Sequence, residues 1–209
     1  MRILNKNYLL NNGVFIGEKN YNYRTKSIIF KKLYSNFVFD FYHSLFFLKK
    51  ALKLIVDIVR NRGVILIYCK NESNPFLKKL SSFNKRFIII KDTWIAGSLS
   101  NYKTKNLNSI TKLPDLVIVL NKSNVENSII LGEASCLSIP SIVFLSSNSD
   151  IDLISYPVWA NLSSLKVINL FLVLIYNSVL QGLFKEKMSK VKKRKKLKNS
   201  FYIFNKKKI

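Results

Sequence analysis

The chain of 209 residues has little of what catalytic sites are usually made from. Its six glycines stand at 13, 17, 63, 97, 132 and 182, so neither G-x-G-x-x-G nor G-x-x-x-x-G-K-[ST] can be written anywhere. That excludes the glycine-rich loops that cradle phosphates in nucleotide enzymes. The one histidine, His43, sits in DFYHSLFF ahead of a helix, with no nucleophile beside it for a general base to activate. Cys69 and Cys136 both lie in apolar surroundings, which reads as buried, unpaired thiols and offers neither a disulfide framework nor a metal site. Asp150 and Asp152 in NSDIDLISYP read as turn chemistry rather than a metal pair. The N-terminal stretch MRILNKNYLLNNGVFIGEKN has no apolar core or small-residue cleavage site, and is not the Arg- and Ser-rich form of an imported precursor.

Acids are scarce as well: 11 Asp and Glu against 35 Lys and Arg give a formal net charge of +24. A charge of that size repels itself unless an anionic partner screens it, with nucleic acid the first candidate and an anionic membrane the second. The last 25 residues, Lys185 to Ile209, hold 12 cations and one acid, Glu186, so +13 remains on residues 1–184. The excess therefore belongs to the body as well as to the tail. Phe, Tyr, Ile, Asn and Lys are abundant, and all are encoded by A/T-rich codons, as in an organelle's genome.

With 48% hydrophobic residues the chain can bury one sizeable core. From Ser44 to Arg60, apolar residues recur at helical spacing (Leu48, Ala51, Leu52, Ile55, Ile58, Val59), predicting an amphipathic helix capped by Ser44 and closed before Gly63. Val64 to Cys69 is an unbroken apolar run, as for a strand covered on both faces; Phe87 to Ile90, Leu116 to Leu120 and Ser141 to Leu145 repeat it. Helices are expected at Asn74 to Phe83 and at Val125 to Ser138, the second preceded by Ser123-x-x-Glu126 in the form of a capping box. The βαβαβ alternation predicts a doubly wound α/β sheet. Leu165 to Phe184 is apolar enough to raise a membrane span, but Asn169, Asn177, Ser178 and Gln181 interrupt it, so a buried terminal helix is expected. Residues 1–184 are read as one domain, with 1–43 as an extension or loop region, and 185–209 as a basic tail that orders only against a partner.

Three stretches, taken together, resemble the universal small-subunit ribosomal protein S2 family. LLNNGVFIGE (9–18) is similar to the family's opening leucine pair, Gly-Val and second glycine. TWIAGSLSN (93–101) resembles its Arg-Trp-Leu-Gly-Gly-x-Leu-Thr-Asn loop, with Trp94, Gly97, Leu99 and Asn101 matching. LPDLVIVLN (113–121) and EASCLSIPSIVFLSSNSDIDLISYPVWAN (133–161) are similar to its Glu-Ala, Ile-Pro, Asp-Thr-Asn and Ile-Pro-Gly-Asn landmarks. The departures are Ala96 for the first loop glycine, Ser146, Ser147 and Asn148 for Asp-Thr-Asn, and Ala160, Asn161 and Leu162 for Gly-Asn-Asp. The long helical hairpin of bacterial members is absent, only Tyr102 to Lys112 standing in its place.

The resemblance implies a flavodoxin-like fold, a mainly parallel five-stranded sheet with helices on both faces. It also implies a structural role in a small ribosomal subunit, with small-subunit rRNA and neighbouring ribosomal proteins as partners and no cofactor. Neither a small-molecule substrate, nor integral membrane association, nor homo-oligomerisation is expected. The eroded motifs, together with an N-terminus lacking an import segment, point to an organelle-made protein of a mitochondrial ribosome, ahead of a plastid one. In the Trp loop, Trp94 can anchor or stack, Ser98, Ser100 and Asn101 can hydrogen-bond phosphate or ribose, and Lys103 and Lys105 add charge. In KNYNYRTKSIIFKK (19–32), Lys19, Tyr21, Tyr23, Arg24, Lys26, Lys31 and Lys32 have the residue mix of RNA contacts, and Lys192, Lys193, Arg194, Lys195 and Lys196 extend the charge into the tail. The rival readings are a nucleotide-dependent or RNA-modifying enzyme on a similar fold, and a basic protein anchored in a membrane by Leu165 to Phe184.

Overall fold

The computed structural model describes residues 6–70, 75–83, 86–102, 110, 112–150 and 152–206, and the side chains of its last helix as far as Val191. The N-terminal region is more ordered than a loop. It holds a short helix α1 (Lys6–Asn11), a 3-10 turn (Tyr23–Ile28) and a hairpin of β1 (Ile29–Leu33) and β2 (Asn36–Phe39). The two strands pair antiparallel from Ile29↔Phe39 to Leu33↔Asn36, with a bulge between Ile29 and Lys31. The next helix, α2 (Phe41–Arg60), buries the expected apolar face but starts earlier than Ser44. Asp40 caps it by accepting the Tyr42 N–H at 3.0 Å. Ser44 instead faces inward, buried, its hydroxyl without a partner among the described residues.

The main sheet is built from β3 (Ile65–Tyr68), β4 (Phe87–Ile90), β5 (Leu116–Val119), β6 (Ser141–Leu145) and β7 (Tyr156–Trp159). All its pairings are parallel and the order is β4-β3-β5-β6-β7. Every residue of β3, β5 and β6 is buried, as their unbroken apolar runs require in a sheet covered on both faces. The fifth strand, YPVW, lies at an edge, where Pro157 removes one ladder donor at little cost.

Between strands run α3 (Pro75–Phe83) and α4 (Asn124–Cys136), and after β7 comes α5 (Leu165–Lys206). The chain leaves β3 toward β4 and later proceeds from β5 toward β6 in the opposite direction. Right-handed crossovers therefore place α3 and α4 on opposite faces. The last helix joins α2 and α3: Phe76 meets Tyr176 with ring centroids 5.6 Å apart, and Gly182 lies so close to α2 that a Cβ there would stand 2.7 Å from Val59 Cβ. Leu165–Val191 is long and apolar enough to span a membrane by length and composition, yet half of its most apolar window is buried within the protein. Val167, Phe171, Leu172, Ile175 and Val179 belong to the core.

The expected boundary between a domain ending at 184 and a separate tail is not a break in secondary structure, because α5 continues to Lys206. No Gly or Pro follows Gly182, and Lys, Arg, Leu and Met are good helix formers. Glu186 fixes the junction. Its buried carboxylate accepts from Arg62 at 3.1 Å, Arg86 at 3.2 Å and Lys190 at 2.7 Å.

Candidate nucleic-acid interface

Parallel strands present their C-terminal ends along one rim of the sheet, where doubly wound folds place their sites. The segment after β4 is the Trp loop. Trp94 is only 7% exposed, edge-on to Tyr68 with centroids 5.9 Å apart, and its Nε1–H donates to Glu133 of α4 at 3.1 Å. The same carboxylate accepts the backbone N–H groups of Gly97 and Leu99, both at 2.8 Å, and of Ser100 at 3.3 Å. Gathering these N–H groups around one anion bends the chain through a φ of +89° at Gly97, a conformation glycine adopts without a Cβ penalty. Ser98 is buried and its hydroxyl donates to the Ile95 carbonyl. Trp94 and Ser98 thus face the interior and build the loop: Trp94 takes the anchoring one of its two expected roles, and the Ser98 hydroxyl is spent on the Ile95 carbonyl. Ser100 and Asn101 are exposed; Lys103 and Lys105 lie outside the described residues.

The crevice between the ends of β3 and β5 is the point where the strand order reverses. Glu126 bridges it, accepting from Tyr68 Oη at 2.7 Å, Lys70 Nζ at 2.6 Å and Asn121 Nδ2 at 2.7 Å. Burial opposes ionisation of Glu126, but the hydrogen bonds from Lys70, Tyr68 and Asn121 outweigh it and hold the carboxyl below its ordinary range. Burial, then the neighbouring Glu126, pushes the Tyr68 phenol upward. The expected capping box is not formed, since the Ser123 side chain makes no cap bond and Glu126 is committed to the crevice.

The N-terminal segment is tied down across the same rim. Ser147, after β6, accepts the Glu18 N–H and donates to the Asn20 carbonyl, both at 2.8 Å. Its own carbonyl accepts from Asn22 N–H at 2.8 Å and Thr25 Oγ1 at 2.9 Å. Gly17 permits this approach, for a Cβ there would lie 3.1 Å from Ser147. Glu18 pairs with Lys122 at 2.9 Å, and Arg24 pairs with Asp150 at 3.6 Å and with Asp152. The acidic pair is therefore an internal clamp that occupies Arg24.

What this segment presents outward is Lys19, Tyr21, Tyr23, Lys26, Lys31 and Lys32, all exposed. Two further aromatic groups stand with them: Phe30 on β1, 70% exposed, and Tyr34 at the hairpin turn, 95% exposed with a φ of 53°. The sequence reading passed over both. The signal was the run IIFKKLYSNFVF, two short strand-like stretches about a two-residue turn. Lys192, Lys193, Arg194, Lys195 and Lys196 lie on the distal turns of α5, away from the other candidates in sequence.

The family model described as Ribosomal protein S2 matches residues 9–108 and 103–182. Small ribosomal subunit protein uS2c of Euglena gracilis, whose suffix marks the chloroplast type, is 24% identical over 235 residues, covering 90% of this chain and 97% of that protein. The uS2 proteins of Rhizobium etli (strain CIAT 652) and Tropheryma whipplei (strain Twist) are 23% and 24% identical, covering 87% and 84% of this chain and 87% and 75% of their own lengths. The matched residues contain the Trp loop, the Glu126 and Glu133 anchors and the Ser147 clamp that shape this rim. The chain belongs to the ribosomal protein S2 family, structural and non-enzymatic constituents of the small ribosomal subunit.

Proposed function

We propose that this chain binds small-subunit rRNA through segment 19–34 and the outer side of the Trp loop, within the small ribosomal subunit of an organelle. The observation that carries the reading is the exposed segment Lys19 to Tyr34. It interleaves lysines with aromatic rings, and the acid beside it, Glu18, is engaged by Lys122. Lysines there neutralise phosphates, while Tyr23, Phe30 and Tyr34 offer faces on which unpaired bases stack. Ser100 and Asn101 add hydrogen-bonding groups, and α5 adds the charge of Lys192 to Lys196. Arg24, paired at the surface with Asp150 and Asp152, and the buried Trp94 and Ser98 hold those surfaces in place.

The mitochondrion is the proposed compartment, supported by the A/T-codon composition, the eroded loop motifs and the short Tyr102 to Lys112 connection. The chloroplast-type relative makes the plastid the other outcome of a fractionation experiment. Binding is tested with an rRNA fragment carrying unpaired loops. Affinity is expected to fall steeply with salt, and K31A/K32A to lower both the affinity and the salt slope. A slope near zero, or an unchanged slope in that variant, overturns the assignment.

A further inference from the structure

We propose that the distal half of α5 is a docking face for an amphipathic helix with acidic flanks on a neighbouring small-subunit protein. This rests on membership of the small subunit and not on the rRNA contacts proposed above. Leu180, Phe184, Met188 and Val191 are 38%, 63%, 44% and 47% exposed, at i, i+4, i+8 and i+11. A period of 11 residues corresponds to 3.67 per turn, so the four side chains stay in one row along a nearly straight helix. The helix cannot roll to bury that row. Its other side is held by Gly182 against Val59 and by Glu186 between Arg62 and Arg86.

The row spans 12 residues, about 16 Å at 1.5 Å per residue, which suits one helix crossing. By the same spacing the next two positions in the sequence are Lys195 and Asn199, both polar. Exposed Lys185 and Lys187 stand to either side, Glu186 is already engaged, and no acid follows it in the chain. The complement of such a surface is an apolar ridge bordered by Asp and Glu. A phosphate backbone would meet the lysines but leave Leu180, Met188 and Val191 against water. Phe184, Met188 and Val191 also lie beyond residue 182, where the family match ends.

The test places a benzoylphenylalanine photo-cross-linker at position 184 of the full chain, with Val125, 72% exposed on α4, as the control position. Small subunits containing the chain are purified and irradiated, and the cross-linked products sequenced. The expected product at 184 is a helical, acid-flanked peptide of one small-subunit protein, absent from the control. In parallel, F184Q/M188Q should lower that protein's occupancy by about fivefold or more with rRNA content unchanged, and should leave the thermal midpoint of the free chain in place because both residues are exposed. Cross-links to rRNA or lipid, none above the control, or unchanged subunit composition in the double variant overturns the docking face alone. Absence of the chain from small subunits would overturn the ribosomal reading together with it.

Discussion

At the residue scale, the loop that carries the tryptophan is organised by a carboxylate far away in sequence. Glu133 lies 33 to 39 residues beyond the groups it binds, and three of the four are backbone N–H groups. Trp94 was legible as an anchor because a lone large aromatic among small residues has few other roles. Glu133 was visible only as part of a Glu-Ala landmark, since a sequence shows side chains and not where backbone donors converge. E133Q keeps the volume but substitutes an NH2 for one acceptor oxygen, setting donor against donor. It should destabilise the chain by about 1 to 3 kcal/mol and loosen the loop, seen as faster amide exchange at Gly97 and Leu99. W94A removes a buried ring and should cost about 3 to 5 kcal/mol in urea unfolding. H43A, at an exposed helix position, should stay within about 0.5 kcal/mol of the parent. Equal losses for W94A and H43A would contradict the placement of Trp94 as the anchor.

At the scale of elements, four of the five parallel strands and four of the helices follow from apolar runs and helical periodicity, which is the part of the fold that sequence displays directly. The pieces that escaped have physical reasons. In YPVW, Pro157 and two large aromatics disguise an edge strand. Asp40 outcompetes Ser44 as the cap because Ser44 falls on the buried face of α2. Lys185 to Lys206 looks like a solvated tail by charge, but its residues propagate a helix already nucleated and packed upstream. Gly182 is the joint on which that extension rests. In an ordinary helix Gly→Ala stabilises, yet here the added methyl would lie 2.7 Å from Val59 Cβ and 3.0 Å from the Val56 carbonyl oxygen. G182A should therefore destabilise by about 1 to 3 kcal/mol, the overpacking exceeding the gain in helix propensity of up to about 1 kcal/mol. A stabilised G182A in thermal unfolding would show that α2 and α5 stand further apart than described.

For the whole molecule, the scarcity of acids proves to be an economy of placement. Among the described residues, which hold ten of the eleven acids, eight carboxylates, those of Glu18, Asp40, Asp115, Glu126, Glu133, Asp150, Asp152 and Glu186, are bound to the protein's own donors. The acids act as internal ties, and the lysines are left to set the external field. Composition alone could report the excess of charge but not this division of labour, because the pairs join residues as far apart as Arg62 and Glu186 or Arg24 and Asp152. The arrangement makes stability depend on pH in a definite direction. Hydrogen bonds from Lys190 and Arg86 hold the Glu186 carboxyl below its ordinary value of 4.5 despite burial, and Glu126 is likewise lowered. A group whose pKa is depressed on folding adds stability that is fully present above its unfolded value and disappears as the pH falls through the folded one. The thermal midpoint should therefore hold between about pH 7 and pH 5 and drop on acidification below about pH 4.5, as the unfolded chain takes up protons that the folded one resists. E186Q cannot titrate, so its midpoint should start lower at neutral pH and fall less steeply in acid, the two curves converging. Parallel curves for E186Q and the parent would mean that Glu186 carries none of this linkage and that the tie between α5, Arg62 and Arg86 is not what seats the long helix.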